Sequence, residues 1–233
     1  MKKTIYIAVL NQGHVRTELA NVLKEISHQT KYNTYIKFWG EKPIANNRNK
    51  IVQEFLAYKA FDVLMMVDSD IVPPLNILNL ADFQKDIIAP VCFMYQEDMI
   101  APVAFKRKPD GLYLPIEITG EEGLIEVDAV GTGCIFLSRK VLEDVRAPFM
   151  NEYDADGIKI FGLDIAFCRR AKEKGYKVFV HLDYLCSHWT TVDLKEIYST
   201  LSDYLDQIYL LKQKLRQNDT KNPPNNMGLD RRV

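Results

Sequence analysis

Apolar and polar positions along this chain switch repeatedly between a period of two and a period near 3.6. Residues 4–10 (TIYIAVL) form a short β-branched run that reads as a strand, and residues 15–27 place Val15, Leu19, Val22, Leu23 and Ile26 on one helical face. Residues 33–39 alternate like a strand, and residues 49–58 carry Ile51, Val52, Phe55 and Leu56 at helical spacing. The unbroken run Val63-Leu64-Met65-Met66-Val67 fits a strand buried on both faces, as in a parallel sheet covered by helices. Pro73-Pro74 can open a short helix over residues 75–80, and residues 86–93 read as another strand. A β-α-β-α-β order implies right-handed crossovers and an α/β fold with a mostly parallel central sheet flanked by helices.

After Phe93 the helical pattern fades. Strand-like pieces at 103–106, 112–118 and 124–129 are separated by Pro109-Asp110-Gly111 and Gly120-Glu121-Glu122-Gly123, both turn chemistry, so a small irregular β region is expected. Residues 134–137 are apolar, 139–145 look helical, and 163–174 form a clear helix stopped by Gly175. Residues 177–182 read as a last strand, followed by the loop Cys186-Ser187-His188-Trp189. The globular domain is expected to span 1–192.

From Asp193 the pattern changes again. Leu194, Ile197, Leu201, Tyr204, Ile208, Leu211 and Leu215 recur by alternating threes and fours over about three heptads. A long amphipathic C-terminal helix over 193–217 follows. Its narrow stripe fits either a homodimer seam through 194–215 or packing on its own domain. The remainder, 218–233, with Pro223-Pro224 and four asparagines, reads as a disordered tail.

Composition narrows the class. At 233 residues the chain can build a substantial core, and 30 basic against 31 acidic residues leave a net charge of −1. No global basic field recruits nucleic acid or anionic lipid. The four cysteines show no Cys-x-x-Cys pair and sit mostly in apolar runs, as free core thiols of a reducing compartment do. Met1-Lys2-Lys3 before the first apolar run imitates a signal peptide, but the run is short and a first strand explains it. No stretch is long enough to span a bilayer, and a cytoplasmic location is expected.

The chemistry concentrates at the end of the third strand, Asp68-Ser69-Asp70. Strand alternation places carboxylates at i and i+2 on one side, where they repel unless protons or a cation neutralise them. Oxygen ligands suit Mg²⁺ or Mn²⁺, and the carboxyl end of a central strand is where open α/β sheets bind ligands. Such pairs also cap helices and fill turns. Asp164, at the start of the 163–174 helix and off its apolar face, is either an N-terminal carboxylate facing the helix dipole or a general base. His188 is a surface residue or a third metal ligand, which would tilt the choice toward Mn²⁺. Arg48-Asn49, where a cation matches the helix dipole poorly, either contact an anion or are simply solvated. Asn11 and Gln12, after the first strand, lie where a crevice would receive a nucleotide. Gly131-Thr132-Gly133 offers backbone amides and room for close approach, or forms a tight turn.

Taken in order, Asn47-Arg48-Asn49, Met66-Val67-Asp68-Ser69-Asp70-Ile71, Asp128-Ala129-Val130-Gly131-Thr132-Gly133-Cys134, Phe161-Gly162-Leu163-Asp164-Ile165-Ala166-Phe167-Cys168 and Cys186-Ser187-His188 resemble a GT-A-type glycosyltransferase over roughly residues 4–190. The resemblance implies a Rossmann-like, GT-A-like sheet and a nucleotide-sugar donor. It implies Mn²⁺ or Mg²⁺ held by Asp68, Asp70 and His188. It makes Asp164 the base that deprotonates an acceptor hydroxyl, with inversion the preferred outcome. Asn11, Arg48, Asn49, Asp68, Ser69, Gly131, Thr132 and Gly133 would line the donor site. The family's first acidic residue before the late helix is Leu163 here, so only the role of Asp164 carries over.

Two rivals stand beside this reading. Asp68-Ser69-Asp70-Ile71-Val72 also satisfies the pattern of haloacid-dehalogenase-type phosphatases, although their motif normally follows the first strand. Leu163 in place of an acid would suit a noncatalytic nucleotide-sugar-binding protein. The sugar, the nucleotide base and the acceptor are not legible in the sequence.

Overall fold

A computed structural model describes residues 2–96 and 99–221, which divide into two units, residues 1–190 and 191–233. The first unit is built on one seven-stranded sheet. Its strands are β1 (Thr4–Leu10), β2 (Asn33–Trp39), β3 (Val63–Asp68), β4 (Ile87–Val91), β5 (Leu124–Val127), β6 (Cys134–Ser138) and β7 (Val178–Leu185). Across the sheet they lie in the order β5-β7-β4-β6-β3-β1-β2. β1 pairs in parallel with β2 and β3, and β7 with β4. β6 runs antiparallel between β3 and β4, and β5 antiparallel on the β7 edge. Five strands therefore share one direction, and the sheet is the mostly parallel one expected.

The apolar runs explain why this sheet is central. Successive residues of a strand face opposite sides, so Tyr6, Ala8, Leu64 and Met66 enter one core while Ile5, Ile7, Met65 and Val67 enter the other. Helices α2 (Ile44–Ala57), α3 (Arg139–Asp144) and α4 (Leu163–Glu173) cover the first face with Ile51, Phe55, Val141 and Phe167. Helix α1 (Thr17–Ser27) and a 3₁₀ turn over Ile77–Phe83 cover the second with Leu19, Leu23, Ile77 and Leu80. The irregular β region is present as small sheets outside the main one, among them Ala129–Val130 with Ala104–Arg107 and Tyr113–Pro115. All four cysteines are free and buried. No helix among the described residues is long and apolar enough to cross a membrane.

Some boundaries differ from the pattern. α2 begins at Ile44, ahead of the apolar periodicity, because its first turns bury polar Asn47 and Arg48, which no hydrophobic pattern marks. The antiparallel course of β6 was not anticipated, since an apolar run of four residues carries no direction. In the second unit, helix α5 spans Leu194–Lys221, so residues 218–221 are helical and not part of a tail. The rest of the expected tail, residues 222–233, lies outside the described residues.

Arg139 ties two of these elements together. α2 ends at Tyr58 in extended backbone with no glycine cap, leaving carbonyls without helical partners. The Arg139 guanidinium, stacked 4.7 Å over the Phe55 ring, donates to the carbonyls of Phe55, Leu56, Tyr58 and Phe61 at 2.8–3.1 Å. Arg139→Met keeps the stem and removes the donors. It is expected to lower stability by roughly 2–3 kcal/mol in chemical denaturation; a loss too small to measure would show that the carbonyls find water equally well.

Candidate functional site

β1 lies between β2 and β3, so the loops after β1 and β3 part at their carboxyl ends and open a crevice. A cavity of about 810 Å³ occupies it, walled by residues 10–12 after β1, 41–44 at the entry to α2, and 68–70 after β3. That volume suits a nucleotide-sized molecule.

Arg48 organises the floor. Its side chain is only 3% exposed, and Nη2 donates to both carboxylate oxygens of Asp68 at 2.8 and 2.9 Å. Nη1 donates to the Thr132 carbonyl at 3.0 Å and reaches Met66 Sδ at 3.8 Å. Thr132 is itself buried, and its hydroxyl donates to Asp164 Oδ1 at 2.6 Å. One buried cation thus links the end of β3 to the loop before β6 and, through Thr132, to the start of α4. Burial pushes the Asp68 carboxyl up to about 6 despite the opposing Arg48 charge, and Asp164 and Asp70 push it in the same upward direction.

Asp70 is placed differently. β3 ends at Asp68 and residues 69–70 form a turn, so the strand alternation expected to align the two carboxylates stops before it reaches Asp70. The chain then re-enters extended backbone, and Ile71–Val72 pairs antiparallel with Ser187–His188, His188 opposite Ile71. The Trp189 N–H donates to the Asp70 carbonyl at 2.9 Å, and the Arg16 N–H to the Ser69 carbonyl at 3.2 Å. Arg16 stacks 4.1 Å from the Trp189 ring, closing the clamp around the turn. This stitching brings His188 Nε2 to 3.6 Å from Asp70 Oδ2. His188 Nδ1 lies 2.6 Å from the Phe93 carbonyl. A carbonyl only accepts, so Nδ1 carries a proton, and a neutral imidazole then turns an Nε2 lone pair toward Asp70.

The structure therefore gathers Asp68, Ser69, Asp70, His188, Arg48, Thr132 and Asp164 at the sheet's carboxyl end. Gly133 joins them, since a side chain there would meet Ile71 at 3.3 Å and Asp68 Oδ2 at 3.8 Å. Among the described residues no three His, Cys, Asp or Glu side chains group closely enough to hold a metal. The preassembled donors are the pair Asp70 and His188, while both oxygens of Asp68 accept from Arg48. A pair suits an ion that takes its remaining ligands from substrate phosphates and water.

Other candidates are engaged elsewhere. The Asn49 amide accepts from the Phe149 N–H at 3.0 Å and donates to the Phe149 carbonyl at 2.8 Å, which uses both ends on the backbone. Asn11 lines the cavity but closes its own turn, accepting from Gly13 N–H at 3.0 Å and donating to the Trp39 carbonyl at 3.2 Å. A side chain at Gly131 would stand 2.5 Å from Val103 Cγ1, so this glycine is needed for packing. Sequence reasoning placed Asn11 and Gln12 here but missed Glu41, Lys42, Pro43 and Ile44 on the cavity wall and the Arg16–Trp189 clamp. For Lys42 the signal was positional, a loop leaving the carboxyl end of β2. The clamp joins residues too distant in sequence for any local pattern.

No family model and no curated protein matches this chain. Among solved structures, it resembles A197 from STIV with a TM-score of 0.54 and 19% identity, over 81% of this chain and 86% of that one. At that identity the likeness is one of fold alone. S. aureus TarS 1–349 in complex with UDP aligns at 16% identity and a TM-score of 0.44, over 86% of this chain and 63% of its own. A glycosyltransferase involved in glycosylating the major capsid of PBCV-1 aligns at 16% identity and a TM-score of 0.32, over 60% and 62%. This chain thus spans less than two thirds of the latter two.

Two outcomes test this geometry. Gly131→Ala is expected to cost about 1–3 kcal/mol by overpacking against Val103, and Gly131→Ala/Val103→Ala to recover most of it; a double variant no more stable than the single would place the strain elsewhere. Asp68 is protonated more readily in the folded chain than at its ordinary value of 3.8. Its contribution to stability is present below about pH 3.8 and lost as pH rises through about 6. Thermal unfolding of Asp68→Asn should lack that component between pH 4 and 6, whereas a pH profile parallel to wild type would contradict the assignment.

Proposed function

We propose that this chain is a metal-dependent glycosyltransferase that moves a sugar from a nucleotide-sugar donor to an acceptor hydroxyl with inversion. The observation that carries this reading is the Asp70–His188 pair, stitched by a two-residue ladder to the rim of a nucleotide-sized cavity. Asp70 and His188 would hold Mn²⁺ or Mg²⁺, with Asp68 as the fixed carboxylate behind them. When bound, the ion supplies Lewis acidity to the donor's diphosphate, which is otherwise a poor leaving group.

The chain's own residues do the rest. Arg48 keeps the Asp68 carboxylate oriented and partly neutralised, so a diphosphate can approach without meeting the full repulsion of three acids. Residues 10–12 and 41–44 wall the space where the nucleoside would lie, with Lys42 as a cation on that wall. Ser69 sits on the turn between the two aspartates and would face the donor's phosphates or sugar. Asp164, oriented by the Thr132 hydroxyl, would accept the acceptor's proton as its oxygen attacks the anomeric carbon. Leu163 belongs to the partly buried margin of the core, so the position that is acidic in the resembling family serves packing here.

The phosphatase rival has less support. It needs Asp68 as a free nucleophile, and that carboxylate accepts from Arg48 through both oxygens. The noncatalytic rival differs in its consequences, so one experiment separates the readings. A panel of nucleotide sugars is tested with Mn²⁺, reading donor hydrolysis and thermal shift. One donor should stand out, and Asp70→Ala should lose both the metal-dependent shift and turnover. Asp164→Asn should keep donor binding while turnover falls by about 10²–10⁴-fold. Binding without turnover in wild type would favour the noncatalytic reading, and an undiminished metal-dependent shift in Asp70→Ala would refute the metal assignment.

A further inference from the structure

Most apolar side chains of helix α5 are left uncovered by the rest of their own unit. Leu194, Tyr198, Leu201, Tyr204, Leu205, Tyr209, Leu210 and Leu211 are each more than half exposed. Scattered apolar residues on a surface need no explanation, but a stripe in strict heptad register does. In that register Leu194, Leu201 and Ile208 occupy a positions, and Ile197, Tyr204 and Leu211 occupy d positions. Tyr198 and Leu205 at e widen the stripe on one side.

The charges along α5 are sorted by end. Residues 193–206 carry Asp193, Glu196, Asp203 and Asp206 against Lys195 alone, whereas residues 207–221 carry Lys212, Lys214, Arg216 and Lys221 against Asp219 alone. Two copies laid parallel would set acidic half beside acidic half and basic beside basic. Laid antiparallel, each acidic half meets a basic one, and the two helix dipoles also oppose favourably.

We propose that α5 pairs with α5 of a second copy as an antiparallel two-stranded coiled coil. Antiparallel a-to-d packing that also sets the acidic half against the basic one fixes the register. Leu201 of one copy lies opposite Leu211 of the other, and Tyr204 opposite Ile208, each contact made twice by the two-fold axis. The Asp193 side chain accepts from the Lys195 N–H at 2.9 Å and so starts the helix. The occupant of this face is thus a second copy of this chain.

The full-length chain in sedimentation equilibrium should show twice the chain mass, with a dissociation constant that rises about a hundredfold in Leu201→Glu. Direction is read by cysteine pairing under mild oxidation with oxidised glutathione. Leu201→Cys and Leu211→Cys, each alone, should not crosslink to themselves, and a mixture of the two should form a disulfide-linked dimer. A monomer at every concentration would overturn the pairing. Self-crosslinking of either single variant would overturn the antiparallel register.

Discussion

The first unit is organised around a guanidinium buried among oxygens. Arg48 is one of very few charged side chains in the described interior, and its cost of burial is offset only because Asp68 and the Thr132 carbonyl accept from it. From α2 it reaches β3 and the loop before β6, so one side chain joins three different parts of the chain. Removing the cation would leave a largely covered carboxylate beside two others, Asp70 and Asp164, so the carboxyl end of the sheet holds its shape through this ion pair. The raised proton affinity of Asp68 has the same origin. Burial and neighbouring acids outweigh one close cation.

A second layer of constraint acts on the turn beyond β3. Arg48 fixes Asp68 from below, but nothing in β3 reaches Asp70. That carboxylate is set by backbone hydrogen bonds from Trp189 and Arg16 and by the ladder that seats His188 opposite Ile71. Residues more than a hundred positions apart therefore meet because β7 ends beside β4, and its continuation crosses to the tip of β3. The imidazole tautomer follows from the Phe93 carbonyl, at the start of the segment after β4. Each element of the pair is oriented by main chain, which holds geometry better than long side chains do.

Much of this was legible in the residues. β1 and β2 match their apolar patterns residue for residue, and the run from Val63 announced a strand buried on both faces ending in carboxylates. The ordered motifs also picked out Arg48, Thr132, Asp164 and His188, which the fold brings to one place. What stayed hidden was relational. The pattern of α2 concealed its first turn because buried Asn47 and Arg48 look solvent-facing in a hydropathy profile. The role of Gly131 depends on Val103, and that of Asn49 on Phe149 a hundred residues away. The equivalence of Asp68 and Asp70, inferred from strand alternation, failed because the strand stops at the first of them.

That inequality gives the site its logic. Had both aspartates pointed freely into the crevice, the chain without ligand would hold two adjacent uncompensated carboxylates, and folding would depend on a cation being present. Here the inner carboxylate is compensated permanently by Arg48 and the outer one stays about half exposed, where water screens it. The ion pair that holds the sheet's carboxyl end together is complete within the chain, and Asp70 and His188 stand outside it, oriented by main chain instead. On the proposed reading that division also separates failure modes: loss of Arg48 would act first on stability, and loss of Asp70 or His188 first on binding.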